Sequence, residues 1–373
     1  MTHKQKSTLN RKKRRTVLMS MWTKTKTKRY WQQRTLELEQ INNKKAQATN
    51  KKNNAELELL HDDITKEIES FYSRYSTENG ITKAEAYKQL SDKEMEMFNL
   101  SLEEFKALSL RENFATEAAY LRQKQILDRI SIKIRITRLD MLRTQVSLKL
   151  VKRYGNIERN IEAMLRETYK DSYYWNIYGF HQTYGKMFQY AKLTDEMLDS
   201  VMQTKAFGKN YSTRIWGDDH AGRLTKKINS ALNNIMAGGK NVDAMAGELS
   251  KAFNTSKSNA KRLLITETTL FADEAAQNAY KEFSVEEYEN LATLDSKTSQ
   301  KCRDMDNSVF PVSKREVGVN APPFHGYCRT VTLPVVKPLV DLPEMRVMKM
   351  PGSRAKNIRS MSYNDWLKGQ SIA

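Results

Sequence analysis

Residues 295–329 read DSKTSQKCRDMDNSVFPVSKREVGVNAPPFHGYCR. This stretch holds both cysteines of the chain, Cys302 and Cys328, its only His-x-x-Cys spacing, His325 to Cys328, and the tandem prolines Pro322 and Pro323. Its flanks favour β structure: NLATL at 290–294, residues 308–312, and RTVTLPVV at 329–336. All seven prolines of the chain lie at or beyond Pro311. Proline removes a backbone donor and breaks helices, so this asymmetry places helices first and an irregular or β-containing module last. The expected fold is mainly α: an elongated helical N-terminal region followed by a small C-terminal α+β module over 285–337, built on the helix before it.

Working back from the module, the apolar spacing is helical. Leu60, Ile64, Ile68, Phe71 and Tyr75 step by three or four, which makes one face of a helix that Asn79-Gly80 ends. Thr82 with Glu85, and Ser101 with Glu104, have the spacing of capping boxes that open two more helices. Residues 116–154 lack Gly and Pro. There Leu121, Leu127, Ile130, Ile134, Leu139, Leu142, Val146 and Leu150 predict one long helix ending at Gly155. The aromatic clusters at 173–190 and 211–216 read as core rather than as stacking platforms. Helices are expected again at 219–237, 241–253 and 255–283, the last capped by Thr255 or Ser256. The resulting segments are a basic disordered arm at 1–29, a long-helix region at 30–155, an aromatic-rich helical region at 156–254, an α+β module at 255–337, and a loosely tethered tail at 338–373 with a short helix near Tyr363.

The net charge of +19 is unevenly placed. Residues 1–54 carry 16 Lys or Arg against Glu37 and Glu39 alone, leaving the other residues nearly balanced. Such an arm is expected to grip a polyanion, and nucleic acid is preferred over a merely solvating leader. Lys12, Lys13, Arg14, Arg15, Lys24, Lys26, Lys28 and Arg29 are the candidate phosphate contacts. No apolar run is long enough to span a bilayer, and no leader with an apolar h-region is recognisable, so no membrane role is expected. Two cysteines in 373 residues suit a reducing compartment rather than a disulfide scaffold.

Three readings of Cys302, His325 and Cys328 compete. They could bind zinc, with Asp295, Asp304 or Asp306 as the fourth ligand, though a second close ligand pair is missing. Cys302 and His325 could form a nucleophile–base dyad of a thiol- or zinc-dependent hydrolase or nuclease, although no helix N-terminus is marked beside Cys302. They could instead be architectural, packing across a hairpin fixed by Pro322 and Pro323. The architectural reading is preferred, with no cofactor and no catalysis expected.

The order Asp295, Cys302, Arg303, then Asp306 and Phe310, then Pro322, Pro323, Phe324, His325, Cys328 and Arg329 resembles the signature of the phage Mu protein F-like minor head proteins, also called the phage head morphogenesis family. YWQQR at 30–34, FYSRYSTENGIT at 71–82, SYYW at 172–175, YSTRIWG at 211–217 and TSKSNAKRLLITET at 255–268 are similar to blocks of such proteins from phages and prophages of Gram-positive bacteria. Two positions depart from the pattern. Thr330 stands where many members have a third cysteine, and Asn307 where many have glycine. The resemblance implies a structural minor capsid protein of the virion, present near the portal vertex during procapsid assembly. Its implied partners are the portal protein, capsid or scaffold proteins, and DNA, whose delivery some members assist.

Overall fold

The structure is a computed structural model that describes residues 3–75, 91–107, 110–131, 137–217, 220–236, 242–336 and 362–370. It is mainly helical. The helices are α1 (His3–Tyr75), α2 (Asp92–Ala107), α3 (Glu117–Ser131), α4 (Arg138–Tyr184), α5 (Asp195–Val201), α6 (Tyr211–Trp216), α7 (Ala221–Met236), α8 (Val242–Glu282), α9 (Gln300–Met305) and α10 (Tyr363–Gly369). Strands β1 (Glu287–Leu291), β2 (Val309–Pro311) and β3 (Val331–Pro334) form one antiparallel sheet with β1 in the centre. The chain forms two compact units, one of residues 1–45, 165–201 and 265–373, the other of 46–164 and 202–264. This grouping differs from a division into consecutive segments, because α1, α4 and α8 each contribute to both.

In the second unit, α1 and α4 run antiparallel. Arg153 binds Asp63 at 2.9 Å and Glu56 at 3.3 Å, Lys149 meets Glu67 at 3.3 Å, and Asn160 donates to Asn53 at 3.2 Å. Leu57, Leu60, Ile64, Ile68 and Phe71 are buried on α1, as are Leu142, Val146, Leu150 and Tyr154 on α4. Each such side chain contributes about 1.5–3 kcal/mol by leaving water. Gly155 lies inside α4, where a Cβ would come within 2.8 Å of the Ala119 Cβ. Its role is close helix approach, not termination.

In the first unit, Arg34 donates to the Trp175 carbonyl at 2.7 Å and stacks 4.2 Å from its ring, while Trp175 Nε1 donates to the Arg34 carbonyl. The core is aromatic: Trp31 lies 4.7 Å from Phe180, which stacks on Phe283 at 4.4 Å. Helix α8 supports the sheet. Tyr280 donates to the Thr332 carbonyl at 3.0 Å, and Thr332 Oγ1 donates to Asp273 at 2.6 Å.

Several sequence expectations are corrected. Helix α1 starts at His3, not near Tyr30, so the backbone of the basic stretch is helical where disorder through residue 29 is expected from composition. No Gly or Pro interrupts it, and extending an established helix needs no new nucleus. The helix expected over 116–154 is two helices, α3 and α4. Thr137 opens the second, its Oγ1 accepting from Asp140 N at 3.1 Å, and the apolar phase is reset, leaving Leu121 exposed. Ser101 lies inside α2, whose capping box is Ser91 with Glu94: Glu94 accepts from Ser91 N at 2.8 Å and from its hydroxyl at 2.7 Å. The two helices expected at 241–253 and 255–283 are one, and Thr255 Oγ1 donates back to the Lys251 carbonyl within it. The proposed cap at Thr82 and Glu85, and Ile134, lie outside the described residues. The tail helix is anchored rather than loose: Trp366 is fully buried, and its Nε1 donates to His181 Nδ1 at 3.1 Å.

Candidate functional site

Ser299 caps α9, its Oγ accepting from Cys302 N at 3.2 Å, which sets Cys302 in the first turn with its side chain buried. The sequence did not mark this helix start. On the other side, the Pro322–Pro323 peptide is cis and leads into Phe324 and His325. Cys328 N closes a turn onto the His325 carbonyl, and Tyr327 takes φ 62°. Thr269 of α8 ties this turn down by donating to the Cys328 carbonyl at 2.9 Å, and Thr266 Oγ1 accepts from Tyr327 N.

These elements bring the three soft side chains together. Cys302 Sγ lies 3.0 Å from His325 Nε2 and 3.8 Å from Cys328 Sγ. Both cysteines are free thiols. His325 Nδ1 lies 2.7 Å from the Gly326 carbonyl, a contact that only an Nδ1–H can make, and Nε2 faces Cys302 and, at 2.8 Å, the Ser299 hydroxyl. Ala292, Phe324 and Met305 pack around the two sulfurs. The Cys328 thiol, hydrogen-bonded to Cys302, pulls the Cys302 thiol far below the ordinary cysteine value. Burial opposes this, while Ser299, Thr330 and His325 reinforce it. The same hydrogen bond, together with burial, pushes Cys328 up. Two sulfurs and one imidazole nitrogen thus converge on one point. This geometry can hold a soft metal ion or pass a proton between sulfur and imidazole.

The charged residues of the stretch do other work. Asp295 receives both Arg329 Nη groups at 2.7 and 2.6 Å and accepts from Lys297 N at 2.8 Å; the Arg329 guanidinium holds its carboxyl well below the usual range. Arg303 donates to the carbonyls of Thr298 and Asp295. Asp306 accepts from Ala292 N at 2.8 Å, and Asp304 from Gln300. None of Asp295, Asp304 and Asp306 joins the group of Cys302, His325 and Cys328, whose ligand atoms lie within 4.8 Å of one another. The expected carboxylate fourth ligand is therefore corrected: Asp295 and Asp306 are engaged in their own loops, and Asp304 along α9. Asn307 has φ 58°, the left-handed conformation that glycine would otherwise supply.

Of the candidate phosphate contacts, Lys12, Lys13, Arg14, Arg15, Lys24 and Lys26 lie on α1. Lys28 pairs with Glu289 of β1 at 2.5 Å, and Arg29 is exposed. Sequence reasoning missed a second basic place, in the second unit. There Arg122, Arg129, Arg143 and Lys226, with Asp140 as the acid among them, line one cleft, and Arg122 stacks 4.7 Å from the Trp216 ring. Its charged residues are spread over three helices between positions 122 and 226, which leaves no local charge run to read. Other missed residues are the polar supports of the module. Asn320 accepts from Tyr288 OH at 2.9 Å and from Asn290 Nδ2 at 2.8 Å, and Arg315 binds Asp273 at 2.7 Å.

Residues 226–333 match the family model described as Phage Mu protein F like protein. This Mu F-like segment contains the sheet, α9 and the whole Cys302–His325–Cys328 cluster, and it begins in α7, earlier than the module boundary at 255 expected from sequence. The similarity points to a component of a phage head. No curated protein and no solved structure matches the chain. Among the described residues, no helix is long and apolar enough to cross a membrane.

Proposed function

We propose that the protein is a minor head protein of a tailed phage, acting at the portal vertex during procapsid assembly and contacting packaged DNA through α1. The observation that carries this reading is the Mu F-like match over 226–333. Two features support the finer parts. The cations of residues 1–54 are concentrated on one helix with almost no acids beside them. Most polar side chains of the signature stretch are bound to backbone or to one another, as in a fixed assembly module. The similarity of the blocks at 30–34 and 71–82 supports a Gram-positive host.

Phosphate neutralisation by eight cations makes log affinity for duplex DNA fall with log salt, with a slope of at most about −7. Deleting residues 2–29 is expected to flatten that slope and remove most of the affinity, with only a small fall in melting temperature from the lost Lys28–Glu289 pair. Equal binding by the truncated chain at equal salt would refute the DNA contact. Co-purification with portal protein from procapsids tests the location. A chain recovered only free of procapsids refutes it.

A further inference from the structure

The two sulfurs of the Mu F-like segment are separated by a telling distance. A disulfide needs about 2.0 Å between sulfurs. Two thiolates on one tetrahedral zinc, each about 2.3 Å from the metal, stand about 3.8 Å apart. Cys302 and Cys328 are 3.8 Å apart and reduced. His325 Nε2 sits 3.0 Å from Cys302 Sγ, and a small turn of the imidazole opens the room a metal needs. The ring is already oriented as a zinc ligand: its Nδ1–H is held by the Gly326 carbonyl, the outer contact that commonly fixes the tautomer of a metal-bound histidine.

We infer that Cys302, His325 and Cys328 form a zinc site with three protein ligands and water in the fourth position. The nearby carboxylates are each bound elsewhere, so two sulfurs and one nitrogen make up the protein donors, and such a soft set selects zinc over magnesium, calcium or manganese. The metal joins α9 to the turn that enters β3 and staples a module whose sheet has only three short strands. This role stands apart from portal or DNA binding and does not depend on either.

The test uses the full chain, kept reduced and stripped of metal by a chelator, then titrated with cobalt(II) alone. One cobalt per chain is expected, with a thiolate-to-cobalt charge-transfer band and the strong visible bands of a tetrahedral ion, all displaced by one equivalent of zinc. Zinc is expected to raise the melting temperature. Cys302→Ser and Cys328→Ser should abolish the charge-transfer spectrum or change its intensity. Because both cysteines are buried and their variants can misfold, His325→Gln carries the decisive arm, as His325 is only half-buried. It should keep the far-ultraviolet circular dichroism of the parent while zinc affinity falls by roughly 100-fold or more. The inference is overturned if the parent chain shows no charge-transfer band, if His325→Gln binds zinc as tightly as the parent, or if the reduced pair takes up no metal and simply closes to a disulfide on exposure to air.

Discussion

In the second unit, Leu57, Leu60 and Ile64 stand along α1 with no measurable exposure, and any apolar side chain of similar volume would satisfy the space around each. In the sheet module of the first unit, Asp273 is nearly as deep, at 4% exposure, but its neighbours are particular. Arg315 binds one of its oxygens at 2.7 and 2.9 Å, and Thr332 donates to the other at 2.6 Å. Burial alone would lower the Arg315 pKa, but the carboxylates of Asp273 and Glu274 more than offset it and hold the guanidinium charged. The helical interior is specified by shape and period, the module by named partners. The first tolerates drift in sequence; the second does not.

The largest effect should come from breaking the module's network. Asp273→Ala leaves Arg315 buried without its main counter-charge and is expected to cost about 3–5 kcal/mol in denaturant unfolding. A loss below about 1 kcal/mol would mean that the partners are not specified as claimed.

Acid tests the helical side next. Burial lowers both His181 and His220 to about 4. His181 Nδ1 accepts from Trp366, and its Nε2 lies 3.2 Å from the Phe188 carbonyl; His220 Nδ1 meets Tyr154 OH at 2.8 Å. The folded state therefore resists a proton that the unfolded chain accepts near 6.5. Stability is full above pH 6.5 and lost as pH falls from 6.5 to 4, by up to about 3 kcal/mol for each histidine. A flat stability profile across that window would contradict the burial of both rings. His181→Gln should remove its share of the pH dependence while lowering stability at pH 7.

Smaller effects compare shape with chemistry directly. Gly155→Ala forces a Cβ against Ala119 and should lower stability by about 1–3 kcal/mol, read by thermal melting. Leu60→Met keeps volume and polarity and should cost less than about 1.5 kcal/mol. If it costs as much as Asp273→Ala, the contrast between the two regions fails. Last, Asp295→Asn breaks an exposed bidentate pair with Arg329, so its effect on melting should be the smallest at low salt and should disappear at high salt.

How much of this was legible follows the same division. The row Leu60, Ile64, Ile68 and Phe71 announced its helix because period alone sets it, and the strand-prone runs around 290 and 331 announced the sheet. Helix ends were read less well. Gly155 looks like a stop because a glycine that admits another helix and a glycine that ends one are the same letter. Ser101 with Glu104 and Ser91 with Glu94 have identical spacing, and only tertiary context chooses the latter as a cap. In the module, Cys302, His325 and Cys328 stood out as rare residues. Their supports, Ser299, Thr269, Asp273 and Asn320, are common polar residues whose partners lie 26 to 59 positions away, and no local pattern names them.

The first unit draws on residues 1–45, 165–201 and 265–373, and its contacts join Lys28 to Glu289 and His181 to Trp366, 261 and 185 positions apart. During synthesis the ribosome releases Trp31 and Phe180 long before Phe283 and Trp366 exist. That core cannot close before Trp366 leaves the ribosome, and the nascent chain must carry a large aromatic surface uncovered until α10 emerges. Such non-local topology folds slowly and is prone to clumping while it waits. Yield in cells should therefore respond to chaperone supply and growth temperature more steeply than the stability of the finished molecule suggests.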